Sequence, residues 1–272
     1  MLRRYAVELM IALAAVLFIA PVGFIFLTAF KPDTEILHFG GLLPRDPTLE
    51  HFRYVLGTPE EIPVFRWLFN SVFISSSVTL LVLTVDALAA YALSRLNLPG
   101  GKAVLALIVA TMMVPGQVLL VPVYLLLSRL GWLDTPWALI VPAGAGAFGV
   151  FFLHQFFKAV PQELEEAAAI DGCSRLGVFW HVMLPLARPA LATLGILTFI
   201  GSWNDFLGPL VFLDSVEKYT LPVGVALFQM SYSIEYGLTL AASVVCTAPI
   251  LVIFLLLHRQ IIEGVSMTGL KA

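Results

Sequence analysis

The sequence predicts an all-α, polytopic membrane protein with six transmembrane helices, and three observations support this class. Of the 272 residues, 60% are hydrophobic and only 12% are charged, which is about half the charge of a soluble domain. The mean hydropathy of +0.95 is too high for a disordered chain. Apolar stretches of about 20 residues, the length that crosses a bilayer as a helix, recur along the whole chain. The composition therefore excludes a soluble globular enzyme.

Six apolar stretches are long enough to span the hydrocarbon core of a bilayer. They are residues 9–30, 68–93, 103–128, 135–157, 189–213 and 236–257. The first is too long for the apolar core of a signal peptide, so we expect it to remain as a membrane anchor. No linker or composition shift divides the chain, which predicts a single transmembrane domain over residues 1–272.

The distribution of positive charge predicts that the N- and C-termini are both cytoplasmic. With the N-terminus inside, nine Lys and Arg residues fall in cytoplasmic segments and six in outer segments. The formal net charge of −3 provides no basic surface for phosphate backbones, so we predict no nucleic-acid partner. Cys173 falls in the reducing cytoplasm and Cys246 in mid-membrane, which predicts no disulfide. The five histidines have no metal-ligand spacing, and we predict no metal site.

The longest cytoplasmic connection, residues 158–188, has the pattern of a short helix rather than of a loop. Glu163, Glu165 and Glu166 would lie near the positive end of a helix dipole. Gly172 can adopt the left-handed conformation that ends a helix. The sequence therefore predicts a helix over Glu163–Ile170, in which three alanines give a face that another backbone can approach. The residues alone leave open whether this helix rests on the membrane surface or docks a soluble partner.

The spacing within this segment resembles a signature of ABC importer permeases, the EAA motif. Glu166-Ala167-Ala168 is followed by three residues, Gly172, nine residues and then Val182-Met183-Leu184-Pro185. The family pattern has the same spacing, with isoleucine in place of Val182. A second amphipathic stretch after Gly172 is expected to end at Leu184-Pro185.

Further segments along most of the chain are similar to the MalG-type permeases of carbohydrate ABC importers. They are residues 30–32 (FKP), 69–71 (FNS), 89–95 (AAYALSR), 203–207 (WNDFL), 218–224 (KYTLPVG) and the tail 260–271. Glycerol-3-phosphate importers share this permease type, so the resemblance does not fix the solute.

The resemblance implies the type I ABC importer permease fold and a role as a transmembrane permease subunit. With a second, MalF-like permease, this chain would form the pathway for a sugar or sugar-like solute across the inner membrane of a prokaryote. Two ATP-binding-cassette ATPase subunits and an extracytoplasmic solute-binding protein would complete the assembly, surrounded by membrane lipid. The chain would not be an enzyme and would bind no cofactor, since ATP and Mg would be held by the ATPase subunits. The chain contains no P-loop of its own.

The resemblance also assigns residues to coupling with the ATPase subunits. In this family the helix over Glu163–Ile170 would sit in a cleft of an ATPase subunit, and ATP-driven closure would rock the spans. The coupling residues are Glu163, Glu166, Ala167, Ala168, Asp171, Gly172, Leu184 and Pro185.

Three polar residues in the spans are candidates for the solute pathway: Gln117, Asn204 and Asp205. A carboxylate such as Asp205 costs about 2.5–3.5 kcal/mol in hydrocarbon on insertion scales. It would line the pathway, bind the partner permease or lie near the membrane surface. Gln117 follows Pro115-Gly116, where a broken helix would face a cavity or a neighbour. For Asp86, the other carboxylate in a span, we expect a structural role facing the bundle.

Two other functions are consistent with a multispan chain. A stand-alone secondary transporter would favour internal repeats and ion-coupling charges within the membrane, and the sequence has no repeat and only two carboxylates in its spans. An intramembrane aspartyl protease would pair Asp86 with Asp205, but neither residue lies in a G-x-G-D context. Neither class needs the EAA motif, which favours the permease.

Overall fold

The computed structural model describes residues 2–38, 41–58, 62–231 and 235–269, and over these ranges the chain forms helices and no strands. The first helices are α1 (Leu2–Thr28), α2 (Asp33–Leu37), α3 (Glu50–Gly57), α4 (Val64–Arg95), α5 (Gly101–Thr111), α6 (Leu120–Leu130), α7 (Trp137–Ile140) and α8 (Ala147–Ala159). The remaining helices are α9 (Glu163–Ile170), α10 (Arg175–Val178), α11 (Leu184–Leu186), α12 (Arg188–Trp203), α13 (Leu207–Phe212), α14 (Leu221–Ser231) and α15 (Tyr236–Gly269). The predicted all-α class is confirmed.

The chain divides into two compact units. The first comprises Met1–Leu68 and Leu221–Val252, and the second comprises Phe69–Thr220 and Ile253–Ala272. All coupling and pathway residues predicted from the sequence belong to the second unit.

Two helices are long and apolar enough to cross a membrane by themselves, Val7–Thr28 within α1 and the whole of α4. Two pairs of consecutive helices, each bent at a short break, are also long and apolar enough if each pair is taken as one span. Gly101–Thr111 and Gly116–Leu130 meet at 92°, and Arg175–Leu186 and Arg188–Trp203 meet at 77°. Over the described residues this gives two candidate spans, or up to four if each bent pair is one span.

The third predicted span is broken just before Gly116, in the region where the sequence predicts a break. α5 ends at Thr111, and a 3-10 turn over Gly116–Leu119 leads into α6. Pro115 has no N–H to donate, and its ring would clash with the carbonyl group of Thr111 in a continuous helix. The prediction of a broken helix at Pro115-Gly116-Gln117 is therefore confirmed.

The fourth and fifth predicted spans, 135–157 and 189–213, are interrupted rather than continuous helices. The fourth stops after Ile140 and resumes at Ala147, across a stretch that contains Pro142 and two glycines. The fifth stops at Trp203 and resumes at Leu207. In a continuous helix the ring of Pro209 would clash with the carbonyl group of Asp205.

α14 lies within residues 214–235, for which the sequence predicts an outer connection between the fifth and sixth spans. Its apolar part, Leu221–Met230, is about half the length that a span requires. Pro222 lies in its first turn, where the missing N–H costs nothing. The last residues of the family-like tail, 270 and 271, lie outside the described residues.

Asp86 supplies a cap to a neighbouring helix from within the second unit. Its side chain is fully buried, and its two carboxylate oxygens lie 3.0 and 3.2 Å from the backbone nitrogen of Gly146. Gly146 is the N-cap of α8 and has no side chain to accept from the free N–H groups of the first turn. A side chain on Gly149 would collide with the same carboxylate. The expected bundle-facing position of Asp86 is confirmed, and its contact with Gly146 is consistent with the structural role that the sequence predicts.

Asp134 joins two connections of the second unit. Its carboxylate accepts hydrogen bonds from the backbone N–H groups of Asp214 (3.0 Å) and Ser215 (2.9 Å) and from the Ser215 hydroxyl (2.6 Å). Lys218 Nζ forms an ion pair with it at 2.8 Å. Desolvation would raise the pKa of Asp134, but the hydrogen bonds from Lys218 and Ser215 outweigh it and hold that pKa well below its ordinary value.

The first unit buries a charged side chain at the end of α1. Lys31 is 3% exposed; its Nζ donates to the carbonyl oxygen of Gly41 and lies 3.9 Å from Glu35 Oε1. The Glu35 carboxylate also accepts from the backbone N–H of Arg45. These contacts close the connection after α2 onto the end of α1, which satisfies a charge that would otherwise be costly to bury.

Candidate functional site

The helix predicted over Glu163–Ile170 is present with those bounds, as α9. It carries three glutamates in its first turn and closes on a left-handed glycine. The N–H of Gly172 donates to the carbonyl oxygen of Ala169 (3.1 Å), and the N–H of Cys173 donates to that of Ala168 (2.9 Å). These two bonds form a Schellman motif, which satisfies carbonyl groups at the helix end.

Gly172 is required by its backbone conformation rather than by crowding. Its φ is +89°, and none of the described residues has an atom within 4 Å of the position that a Cβ would occupy. A side chain there would therefore meet no neighbour but would be held in a region that L-residues avoid. The effect of a substitution would be to change the direction in which the chain leaves α9.

One side of α9 is open to the surroundings, and it combines acidic and apolar groups. Ile170 is 86% exposed and Leu164 is 44% exposed. These two side chains and the exposed glutamates of the first turn are therefore available to a partner. Six of the eight predicted coupling residues are exposed: Glu163, Glu166, Ala167, Asp171, Gly172 and Pro185.

The other two coupling residues face the interior. Ala168 and Leu184 are partly buried against the hydrophobic core of the second unit. The alanine run therefore does not present one continuous face to a partner, as its composition suggested. Ala168 packs α9 against the core, and the adjacent Ala167 is exposed.

The amphipathic stretch after α9 does not end at Leu184-Pro185, which corrects the prediction. It runs through α10, a π-helical segment Phe179–Met183 and α11 to Leu186. Pro185 has no N–H with which to bond the carbonyl group four residues earlier. A widened π turn just before the proline accommodates that loss. The chain then bends by 77° into α12.

Two side chains in the last two turns of α4 hold the segment that contains α9. Arg95 Nε lies 2.8 Å from Glu165 Oε1, and Arg95 Nη2 donates to the carbonyl oxygens of Phe157 and Val160. One turn earlier, the Tyr91 hydroxyl donates to the carbonyl oxygen of Arg175 at 3.0 Å. In the sequence, both residues belong to the family-like segment 89–95. Their i, i+4 spacing at the end of a span was the one local signal that they share a face.

Aromatic packing reinforces this attachment. The ring centroid of Tyr91 is 5.1 Å from that of Phe179 and 6.3 Å from that of Phe157. Phe157 and Phe179 are themselves in contact, with centroids 6.5 Å apart. All three rings are buried, so α4, α8 and the π-helical segment share one rigid core.

Of the three pathway candidates, Asp205 lines a cavity. The cavity has a volume of about 350 Å³, and its hydrogen-bonding lining comes from Thr198, Ser202, Asp205 and Thr220. Apolar side chains of α4 and α7 form the opposite wall, among them Ile74, Val78 and Leu139. Asp205 Oδ1 also accepts the N–H of Gly208 at 3.3 Å, at the start of α13. Asn204 and Gln117 are exposed and lie outside the described lining of this cavity.

Comparison with known proteins gives a consistent result. The family described as "Binding-protein-dependent transport system inner membrane component" matches residues 83–266, which is more than half of the chain. The chain is 37% identical over 268 residues to the arabinooligosaccharides transport system permease protein AraQ of Halalkalibacterium halodurans, covering 97% of this chain and 95% of AraQ. It is 33% identical over 274 residues to the trehalose/maltose transport system permease protein MalG of Thermococcus litoralis, covering 99% and 98%.

A solved structure has the same fold. A chain from the crystal structure of a bacterial ABC transporter involved in the import of the acidic polysaccharide alginate superposes with a TM-score of 0.82. The match covers 95% of this chain and 96% of that one, at 23% sequence identity.

Proposed function

The chain belongs to the family of binding-protein-dependent transport system inner membrane components, and on that premise we propose that it transports a sugar or sugar-like solute. It would act as one of two permeases of an ABC importer in the inner membrane of a prokaryote. The names of the relatives support this solute class, since AraQ and MalG are permeases of arabinooligosaccharide and of trehalose/maltose transport.

The proposed assembly follows from the family. A second, MalF-like permease, two ATP-binding-cassette ATPase subunits and an extracytoplasmic solute-binding protein accompany this chain. ATP and Mg bind to the ATPase subunits, and this chain contributes no catalytic residue and no cofactor.

The proposed topology has six spans, 9–30, 68–93, 103–128, 135–157, 189–213 and 236–257, in one transmembrane domain with both termini cytoplasmic. Several of these spans are bent or interrupted helices. Broken helices occur within membranes where neighbouring helices or a cavity satisfy the free backbone groups. The capping of α8 by Asp86 is one such case, because it supplies an acceptor to the helix that restarts inside the fourth span.

We propose that α9 is the coupling helix that docks into a cleft of an ATPase subunit. The observation that carries this proposal is the exposed surface of α9, with Leu164 in the acidic first turn and Ile170 at the other end of the helix. The coupling residues remain Glu163, Glu166, Ala167, Ala168, Asp171, Gly172, Leu184 and Pro185. Closure of the ATPases on ATP would displace α9, and ATP would thereby bias the bundle between inward- and outward-facing states.

We also propose that Asp205 lines the solute pathway, with Asn204 and Gln117 as further polar candidates. The support is the cavity beside Asp205, which combines hydroxyl groups and a carboxylate with an apolar wall. Sugars present hydroxyl groups that such a lining can bind, together with apolar ring faces.

Site-directed crosslinking tests the docking proposal. Ile170→Cys, in a chain from which Cys173 and Cys246 have been removed, would be crosslinked in native-host membranes and its partner identified by mass spectrometry. We expect an ATPase subunit with a Walker motif. Leu107→Cys is the matched control, since Leu107 is 68% exposed but lies in the proposed third span. A crosslink from position 107 but not from position 170 would overturn the docking proposal.

A further inference from the structure

The covalent connections on both sides of α9 are non-helical. Val160 to Gln162 separate it from α8, and Asp171 to Ser174 separate it from α10. A force applied to a short helix between two such connections would be partly absorbed by rotation about their backbone bonds. Efficient transfer of a displacement from α9 to the spans therefore needs side-chain attachments that bypass these connections.

Arg95 provides such an attachment. Its side chain is 5% exposed, and that of Glu165 is 13% exposed, so each charge needs the other in a site where an unpaired charge would be costly. The same guanidinium donates to carbonyl groups at the end of α8 and at Val160. The planar fork of arginine suits several acceptors at once. Arg95 therefore fixes α9, the end of α8 and the last turn of α4 to one another.

Glu165 is distinguished from its neighbours by the direction in which it points. Glu163 and Glu166 are exposed on the open side of α9, and Glu165 turns inward to Arg95. Two of the three glutamates in the first turn are thus available to a partner, and the third serves internal attachment. The Tyr91 hydroxyl, bonded to the carbonyl oxygen of Arg175, holds the segment on the far side of α9 to the same helix.

We propose that Arg95 is a positioning residue for energy coupling, which acts by fixing α9 to the cytoplasmic end of α4 through Glu165. Displacement of α9 by an ATPase subunit is then passed directly to the second span, rather than only along the non-helical connections. This proposal rests on the proposed function, since it assumes that an ATPase subunit moves α9.

The test compares Arg95→Gln, Glu165→Gln and the double variant in the complete importer purified from the native host. Each single variant leaves a buried charge unpaired and can reduce assembly for that reason alone. The double variant leaves no unpaired charge, so it separates folding from coupling. Lys102→Gln, which removes an exposed cation at the start of α5, is the matched control.

The readout needs no identified solute. Ser202→Cys, at the cavity beside Asp205, is introduced into each variant after removal of Cys173 and Cys246. The rate of labelling by a membrane-impermeant maleimide is measured with and without ATP and vanadate. We expect ATP to change this rate by roughly tenfold, a typical size for coupling between two sites, in the reference chain and in Lys102→Gln.

For the double variant we expect normal assembly with the ATPases, but we expect ATP to change the rate of maleimide labelling by less than about twofold. A full response in the double variant would overturn the coupling role of Arg95 and leave the proposed function intact. A reference chain that binds no ATPase and shows no response to ATP would overturn the proposed function, and the coupling role with it.

Discussion

Replacing Asp86 with alanine removes the cap that α4 supplies to α8. The carboxylate oxygens lie 3.0 and 3.2 Å from the nitrogen of Gly146, in a site where the aspartate is fully buried. Without an acceptor, the buried N–H costs about 1–3 kcal/mol. The space left by the carboxyl group adds about 1 kcal/mol. We therefore expect Asp86→Ala to lower the free energy of unfolding by about 2–4 kcal/mol.

Asp86→Asn is the matched control, because its amide oxygen can still accept the hydrogen bond from Gly146. The assay is the apparent unfolding temperature of the purified protein in detergent. At about 2–3 °C per kcal/mol for a chain of this size, Asp86→Ala should unfold roughly 4–12 °C below the parent, and Asp86→Asn should lose less than half as much. Equal temperatures for the parent and Asp86→Ala would refute the capping interpretation. An Asn variant as unstable as the Ala variant would show that the acceptor is not what stabilises α8.

Three further predictions concern other parts of the second unit. Gly172→Asp forces an L-residue to φ +89°, which costs about 1–2 kcal/mol. It should abolish ATP-dependent uptake, while membrane insertion, measured by immunoblotting, stays normal. Unchanged uptake would contradict the role of Gly172 in coupling. Asp205→Ala should reduce uptake by roughly tenfold or more in vesicles, in line with the loss of one charged contact, whereas uptake equal to that of the parent would remove Asp205 from the pathway. Because the pKa of Asp134 is lowered in the folded protein, its stabilising effect is present above its unfolded pKa of about 3.9 and is lost as the pH falls toward the folded value. The unfolding temperature should therefore fall more steeply on acidification for the parent than for Asp134→Asn, and parallel curves would contradict this.

The bounds of α9 could be predicted from the sequence because the signals that define it are local. Acidic residues at one end and a left-handed glycine at the other determine where a short helix begins and ends, whatever surrounds it. The family resemblance rested on the same segment, and comparison with known proteins confirmed it. The break at Pro115 was predicted for the same reason, since a proline acts on its own helix.

The interruptions of the fourth and fifth spans were missed because hydropathy measures composition rather than continuity. Both stretches are predominantly apolar, and their most polar residues are His154 and Gln155 in the fourth and Asn204 and Asp205 in the fifth. A proline lies at or just after each break, Pro142 in the fourth span and Pro209 in the fifth, and the fourth break also involves a group that is distant in sequence. Gly146 needs the carboxylate of Asp86, which is 60 residues away in sequence.

The attachment of α9 to α4 had no sequence signature of its own. Arg95 and Glu165 are separated by four helices, and no local pattern pairs them. The inward direction of Glu165 among three similar glutamates depends on how α9 lies on the core. The cavity beside Asp205 likewise draws its wall from α4, α7, α12 and α13, so its lining could not be read from one segment.

The most direct test of the proposed function is purification of this chain from detergent-solubilised membranes of its native host, with identification of the proteins that remain bound. Glu166→Lys, with a reversed charge on the exposed side of α9, is purified in parallel. We expect the parent to retain a second permease, an ATPase with a Walker motif and an extracytoplasmic binding protein, and we expect Glu166→Lys to lose the ATPase. Recovery of the parent chain alone, stable and monodisperse, would contradict the importer and favour a stand-alone transporter.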